Sequence, residues 1–487
     1  MAALPNLPSP TAYAEQGFRV TILLSLALAS AASAQPPAAL PEPTGRPLQI
    51  DFSDDPILRL RREQTDFETF RNAIATAVQA HPATAEGAAG EDEALAALEQ
   101  AEESRLPTVD INLQSYRVLA RDFSNDPTNI IERSRPIQRT DALLSVQQNI
   151  FDFGAGERRV AAAGARLRAA AAELEASADR VALNAIASWY EVFGYRALVA
   201  LTAAFRDSQS DLRAAVQDRI AQGVSAESDV ARVESYIAQT GTRLARFRRQ
   251  LAGAEAQFAE LAGIPAAASL ERAPTPPLLI RSREDAVAAA VQAPAVRSAI
   301  AAGDAARQDA RVARAERLPQ VTAGVDAGRY GVFENDRDYD IRGRVGLRYR
   351  LFGGTDPRAE QFEARARAAH ARADRIREEA ERDAAIAWSD VQALQEQLAA
   401  IEASYIASRQ SRDVIIERFR IARGTLFDVV AAEEAYFEAA TSYIQALSEL
   451  DAARYVLLSR TGRLLDVLRI DTDQLRGESQ LRGESGF

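Results

Sequence analysis

The sequence predicts a mainly α-helical chain that also carries four amphipathic strands, laid out as two copies of one unit. Three observations predict it. First, four landmarks recur in the same order at a spacing of about 200 residues, the mark of an internal repeat. "AIATAVQAHP" (73–82) returns as "AVAAAVQAP" (286–294), and "RLPTV" (105–109) returns as "RLPQV" (317–321). "NIFDFG" (149–154) returns as "YRLFGG" (349–354), and "RIAQGVSAESDV" (219–230) aligns without a gap on "RFRIARGTLFDV" (418–429). Second, each copy holds two stretches that alternate apolar and polar side chains with the period of two that defines a strand. Third, the remainder is rich in Ala, Leu, Glu and Arg, with aromatics at only 7%, a composition suited to long helices packed side by side.

The elements follow in order. In "FRVTILLSLALASAASAQ" Arg19 precedes a short apolar run that closes on Ala32-Ser33-Ala34, which predicts a signal peptide over 1–34 with cleavage after Ala34. A membrane anchor would need about 20 apolar residues. Residues 35–65 form a Pro-rich lead-in, and 66–264 make up the first repeat. Its strands are predicted at 109–119 and 142–152, where Val109, Ile111 and Leu113 alternate with Asp110, Asn112 and Gln114, and where Leu144, Val146 and Ile150 share a face. The polar segment 120–140 is their loop, a long helix spans 156–222, and a second helix returns over 228–262.

A Pro-rich connector, 265–283, leads to the second repeat, 284–466. Strands are predicted at 321–331 and 341–352, with 331–340 as the loop between them. In the last strand Ile341, Val345 and Leu347 stand opposite Arg342, Arg344, Arg348 and Arg350. A long helix follows over 357–422, and 427–463 returns from the turn. Each long tract would extend about 100 Å at 1.5 Å per residue. Their apolar stripes keep a seven-residue period: Val160, Leu167, Leu174 and Val181 in the first, and Ala366, Ala373, Ala380, Ala387, Leu394 and Ile401 in the second. Such a period predicts coiled-coil packing. The tail 467–487, with "QLRGES" written twice, is predicted to be disordered.

Composition excludes several functions. A net charge of -11 argues against nucleic acid as a partner. The chain has no Cys, so disulfides, thiolate metal sites and an N-terminal lipid-modified Cys are ruled out. It also has no Lys, so every basic side chain is Arg. His81 and His370 are the only histidines, and neither has a metal-ligand pattern around it. With no Gly-rich phosphate loop and no nucleophile elbow, neither an enzyme nor a cofactor is expected.

Such alternating strands separate an apolar phase from a wet one, the fourth with arginines on its wet face. Each is about 10–12 residues long, which suits a tilted bilayer crossing. Edges left open in lipid would strand backbone N–H and C=O groups, and four strands cannot close on themselves. Copies of the chain must then share one barrel, with Ile341, Val345 and Leu347 on lipid and the arginines lining water.

The duplicated order of helix, "RLP", strand, strand, "LFGG", long helix and a turn followed by "DV" resembles the TolC family of outer-membrane factors over nearly all of the mature chain. "LFGGTDPRAEQ", "RFRIARGTLFDVVAAEEAYFEA" and "LSRTGRLLDVL" resemble in particular the channels of type I secretion. The resemblance implies a homotrimer with a shared twelve-stranded barrel in the outer membrane and a twelve-helix α-barrel through the periplasm. It further implies a periplasmic adaptor and an inner-membrane pump as partners, an ABC transporter ahead of a proton-driven pump. The function it implies is an exit duct for a type I secretion or tripartite export system. A drug or metal efflux outlet of the same family and a non-channel periplasmic coiled-coil spacer or adaptor are the alternatives.

The resemblance also assigns residues. Asp428 matches an acidic residue that forms a carboxylate ring at the periplasmic constriction; Asp229 with Ser228 matches the interhelix contacts that hold the gate shut. Phe419 and Gly424 stand where a Tyr and an Arg commonly supply gate hydrogen bonds, and Ala431 where a second ring carboxylate is common. Arg423 or Glu433 is the expected substitute. The turns containing Gly223 and Gly424 are the expected adaptor-docking surface, and Arg342, Arg344, Arg348 and Arg350 the barrel lumen. Thr425-Leu426-Phe427-Asp428 also has capping-box spacing, a purely structural use of the same Asp.

Overall fold

Pro107 and Pro319, the third residue of each "RLP", set where the sheet starts, because proline has no N–H to give to a ladder. The strands begin at the next residue in both repeats. The computed structural model describes residues 40–124, 126–277, 279–334, 338–421, 423–472 and 475, all within one compact unit. The signal peptide expected over 1–34 lies outside the described residues.

In chain order the elements are α1 (Pro56–Arg59), α2 (Phe67–Ala80), α3 (Pro82–Glu103), β1 (Thr108–Arg117), α4 (Ile130–Ser134), β2 (Gln138–Phe151), α5 (Ala155–Ala221) and α6 (Ser228–Ala262). The second repeat supplies α7 (Arg283–Ala289), α8 (Pro294–Ala315), β3 (Gln320–Tyr330), β4 (Tyr339–Arg348), α9 (Thr355–Arg420), α10 (Leu426–Arg460) and α11 (Leu464–Leu468). Most bounds fall within a few residues of those expected. Two differ for physical reasons. The loop expected over 120–140 contains α4, and β2 starts inside it, at Gln138, because its ladder with β1 continues up to Arg117. β4 stops at Arg348, paired with Gln320, since Pro319 offers β3 no further donor; Arg350 therefore lies beyond the strand, not within it as expected.

The sheet is antiparallel in the order β1-β2-β3-β4, so the two repeats meet at the β2–β3 pair, while among the described residues β1 and β4 each keep one edge unpaired. Register sorts the faces cleanly. Val109, Val146 and Val325 align across three strands, and Ile111, Leu144, Ala327 and Ile341 across all four. The opposite face carries the row Asp110, Ser145, Asp326 and Arg342.

The turn from sheet to long helix is made the same way twice. Phe153 and Gly154 have φ of 55° and 76°, and their counterparts Gly353 and Gly354 have 116° and 82°. Left-handed backbone of this kind favours glycine, which explains why "FG" and "GG" close the two motifs. From there α5 runs 67 residues and α9 runs 66, each about 100 Å long. Near the sheet they lie beside α3 and α8; towards the far end they lie beside α6 and α10. Among the described residues no single helix is long and apolar enough to cross a membrane.

Three apolar clusters hold the rods together. One, at mid-length, packs Phe205 and Phe437 in a stack 4.5 Å apart with Leu201, Val391, Tyr405, Tyr436 and Tyr443. A second joins α2, α5, α6 and α11 around Phe70, Trp189, Phe258 and Leu464. A third, small one sits at the far tips. The heptad stripes contribute unevenly: Leu174, Val181, Ala366, Ala373 and Ala387 are buried, whereas Val160, Leu167, Ala380, Leu394 and Ile401 are half-buried within the single chain.

The terminal segments are more ordered than their composition suggests. The Pro-rich lead-in, from residue 40 on, is strapped along α9. Asp55 caps α1 by accepting from the N–H groups of Ile57 (2.9 Å) and Leu58 (3.1 Å), accepts from Tyr405 Oη at 2.9 and 3.0 Å, and pairs with Arg409. Further along, Thr44 N–H donates to Asp413 and Arg412 donates to the Pro41 carbonyl. The connector is held likewise: Arg272 grips Asp451 through two hydrogen bonds of 2.5 and 2.9 Å, and Trp189 Nε1 donates to the Glu271 carbonyl at 2.9 Å. Leu468 and Leu475 are buried and Ile470 packs beside them, so the start of the tail expected to be disordered is docked on the second cluster. The apolar spacing at 464, 465, 468 and 470 outweighs the polar repeat that follows it.

Candidate functional site

Both hairpins turn at the end farthest from the sheet, and each turn places an aspartate in the first turn of the returning helix. Asp428 and Thr425 form a full capping box. Asp428 Oδ2 accepts from the Thr425 N–H at 3.3 Å and from Thr425 Oγ1 at 2.7 Å, and the Asp428 N–H donates to Thr425 Oγ1 at 3.2 Å. These hydrogen bonds, the Thr425 hydroxyl first, hold the exposed Asp428 carboxyl below the usual carboxylate range, so it is ionised at neutral pH. Asp229 repeats only part of this, its Oδ2 accepting from the Ala226 N–H at 3.3 Å. Ala226 stands where Thr425 stands in the other hairpin and has no hydroxyl to return. In both cases one carboxylate oxygen serves the cap and Oδ1 makes no hydrogen bond, as far as the described residues go.

The two expected turn glycines do different work. Gly223 has a φ of 76° and open space around it, whereas Gly424 keeps negative φ and lies where a Cβ would come 3.3 Å from the Phe419 nitrogen. Ser228 and Arg423 are both exposed, and the Arg423 N–H closes the end of α9 on the Arg418 carbonyl. Glu433 is not available as a substitute at the tip: it is only 5% exposed, turned onto α5, where it accepts from Ser208 Oγ at 3.4 Å.

Sequence reasoning missed the residue that joins the two hairpins. Arg219, in the last turn of α5, stacks over the Phe419 ring at 4.2 Å and donates to the Phe419 carbonyl at 2.6 Å, while its Nε donates to Ser225 Oγ at 3.3 Å. Beneath it Val216, Val233, Leu426, Val429 and Val430 form the small tip core. Phe419, which stands where a hydrogen-bonding Tyr was expected, thus presents its ring and carbonyl to an arginine. The signal available was the repeat itself, since Arg219 aligns with Arg418 and so stands at the equivalent end of its long helix. Around the core Val224, Ile421 and Phe427 remain exposed, Phe427 by 63%.

At the other end, Arg342 and Arg344 of the β4 column are neutralised within their own sheet. Arg342 pairs with Asp340, and Arg344 with Asp326 at 3.2 Å, which also accepts from Ser145 Oγ at 3.0 Å. Arg139 on β2 pairs with Asp141 at 2.6 Å. Matched pairs of this kind hydrate a surface without giving it a net sign. The histidines are structural: His81 Nδ1 accepts from the Ala83 N–H at 3.1 Å at the start of α3, and His370 packs against Gly303. Among the described residues no group of three or more His, Asp or Glu is placed to hold a metal.

The profile of the outer membrane efflux protein family matches residues 286–463. The outer membrane efflux protein BepC of Brucella suis is 24% identical over 358 residues, covering 71% of this chain and 77% of that protein. Among solved structures, the outer membrane protein VceC of Vibrio cholerae superposes with a TM-score of 0.71 at 20% identity, over 81% of this chain and 96% of its own. The Campylobacter jejuni CmeC outer membrane channel does so with 0.70 at 14% identity, over 91% and 98%.

Proposed function

We propose that this chain is an outer-membrane member of the efflux protein family whose profile matches residues 286–463, that it reaches into the periplasm, and that three copies form an exit duct. The observation that carries this reading is the four-stranded sheet with two open edges and one apolar face. Such a sheet is viable in lipid only when its edges are paired, and three copies would close it with twelve strands. The long helices then continue the barrel as a tunnel, whose tips converge where Asp428 and Asp229 lie. Tip closure is held within each chain by Arg219 on Phe419, and the exposed Val224, Ile421 and Phe427, with the turns at Gly223 and Gly424, offer the docking surface for a periplasmic adaptor. An ATP-driven inner-membrane pump completes the assembly.

The cargo we propose is large protein, by type I secretion, on the strength of the second-repeat segments "LFGGTDPRAEQ" and "RFRIARGTLFDVVAAEEAYFEA". Efflux of small molecules is the second reading, and the name of the BepC relative favours it. Comparing the secreted and surface proteins of a deletion strain with its complemented parent separates the two. Loss of one or a few large proteins supports secretion; an unchanged secretome with new drug or metal sensitivity replaces it with efflux.

At the tip, three Asp428 carboxylates brought towards one axis would attract cations and repel anions through their free Oδ1 atoms. Asp428→Asn, which keeps an acceptor for the cap, is expected to leave assembly intact and to weaken both cation selectivity and divalent-cation block in planar bilayers. Unchanged selectivity would reduce Asp428 to a capping residue.

A further inference from the structure

Where the sheet joins the helices, a cavity of about 220 Å³ opens on the polar face of the sheet. Arg159 of α5, Arg348 at the end of β4, Arg350 just beyond it, and Arg358 in the first turn of α9 line it, and among the described residues Glu316 is the only carboxylate in the lining. Glu316 accepts from Arg159 at 2.7 Å and lies 3.4 Å from Arg358, which fixes those two guanidinium groups. Arg348 and Arg350 have no ion-pair partner among the described residues. Four guanidinium groups against one carboxylate leave three positive charges uncompensated, in contrast to the matched Arg342, Arg344 and Arg139 on the same face. Thr355, the first residue of α9, also faces the cavity, and its N-cap, Gly354, has no side chain to satisfy the first-turn N–H groups. The acid of that turn, Asp356, is engaged by Arg317 at 2.6 Å outside the lining.

Planar guanidinium forks converging beside an uncapped helix start match the oxygens of a phosphate group. The space suits a tetrahedral oxyanion with several waters of about 30 Å³ each. We propose that this cavity binds a phosphate-type oxyanion. On the duct reading, on which only its orientation rests, the polar face is the lumen, so the ligand reaches it as a soluble phosphate ester or a phosphate group on cargo. The phosphate of an outer-membrane lipid has the same chemistry.

The test is calorimetric titration of pyrophosphate into the detergent-extracted full-length protein at low ionic strength, where such attraction is least screened. The wild type is expected to bind saturably, Arg348→Gln/Arg350→Gln to bind at least tenfold more weakly, and Arg342→Gln/Arg344→Gln to bind as the wild type does. Absence of saturable binding, or equal loss in both double variants, overturns the site. Native mass spectrometry after delipidation separates the sources. A phospholipid retained by the wild type and lost from Arg348→Gln/Arg350→Gln assigns the site to lipid, and pyrophosphate block of conductance assigns it to the lumen. Binding by a protein that forms no pore would refute the duct and leave the site standing.

Discussion

Asp55→Ala is expected to destabilise the protein by about 3–5 kcal/mol, the usual cost of leaving one member of a buried ion pair without its partner. Asp55 is fully buried and engages Tyr405, Arg409 and two N–H groups of α1 at once. Its loss leaves the Arg409 guanidinium, itself buried, facing apolar and aromatic neighbours, and frees the lead-in from α9. Thermal unfolding of the detergent-extracted protein measures the loss. An Asp55→Leu/Arg409→Met double variant, which removes both charges, should recover most of it, because the penalty belongs to the orphaned charge and not to the missing bond. Equal damage in the single and double variants would show that the cap on α1, not the charge pair, is what matters.

A second large effect is expected at Glu433. Burial pushes its carboxyl up to about 7, opposed by Arg412 and by the hydrogen bond from Ser208. The folded chain therefore keeps a proton that the unfolded chain releases. This contribution to stability is complete below the ordinary glutamate value, and it is lost as pH rises through about 7. Glu433→Gln keeps the shape without the charge and should flatten that pH dependence. At pH 8 the variant is expected to be more stable than the wild type by up to about 3 kcal/mol, since every tenfold difference in proton affinity between folded and unfolded chain is worth about 1.4 kcal/mol. Below pH 5 the two should unfold alike. A wild type whose stability is flat between pH 5 and 8 would contradict the assignment.

How much could be read from the sequence depended on how local each feature was. Strands and long helices were legible because their periods, two and seven, lie within single stretches, and because each element appears twice. The "RLP" and "FGG" boundaries were legible for the same reason: a missing N–H and a left-handed turn are local requirements. The strap was not, since the partners of Asp55 lie about 350 residues away and no period connects Thr44 with Asp413. Glu433 read as a spare gate carboxylate because its position near the turn was visible and its rotation onto α5 was not. Arg344 looked uncompensated because its partner, Asp326, sits on the neighbouring strand, so that pairing exists only once register is known.

The tips show the same division. Asp428 and Thr425 are three residues apart, so the capping box could be anticipated, whereas the Arg219–Phe419 contact spans 200 residues and had to be seen. The duct reading rests on assembly in the same way, since the open edges of β1 and β4 state what is missing from one chain. The most direct measurement is therefore the mass of the protein released intact from detergent micelles by native mass spectrometry. Three copies in one particle is the expected mass, because four strands from each would then close a barrel. A stable monomer, or a protein that stays in solution without detergent, would contradict it.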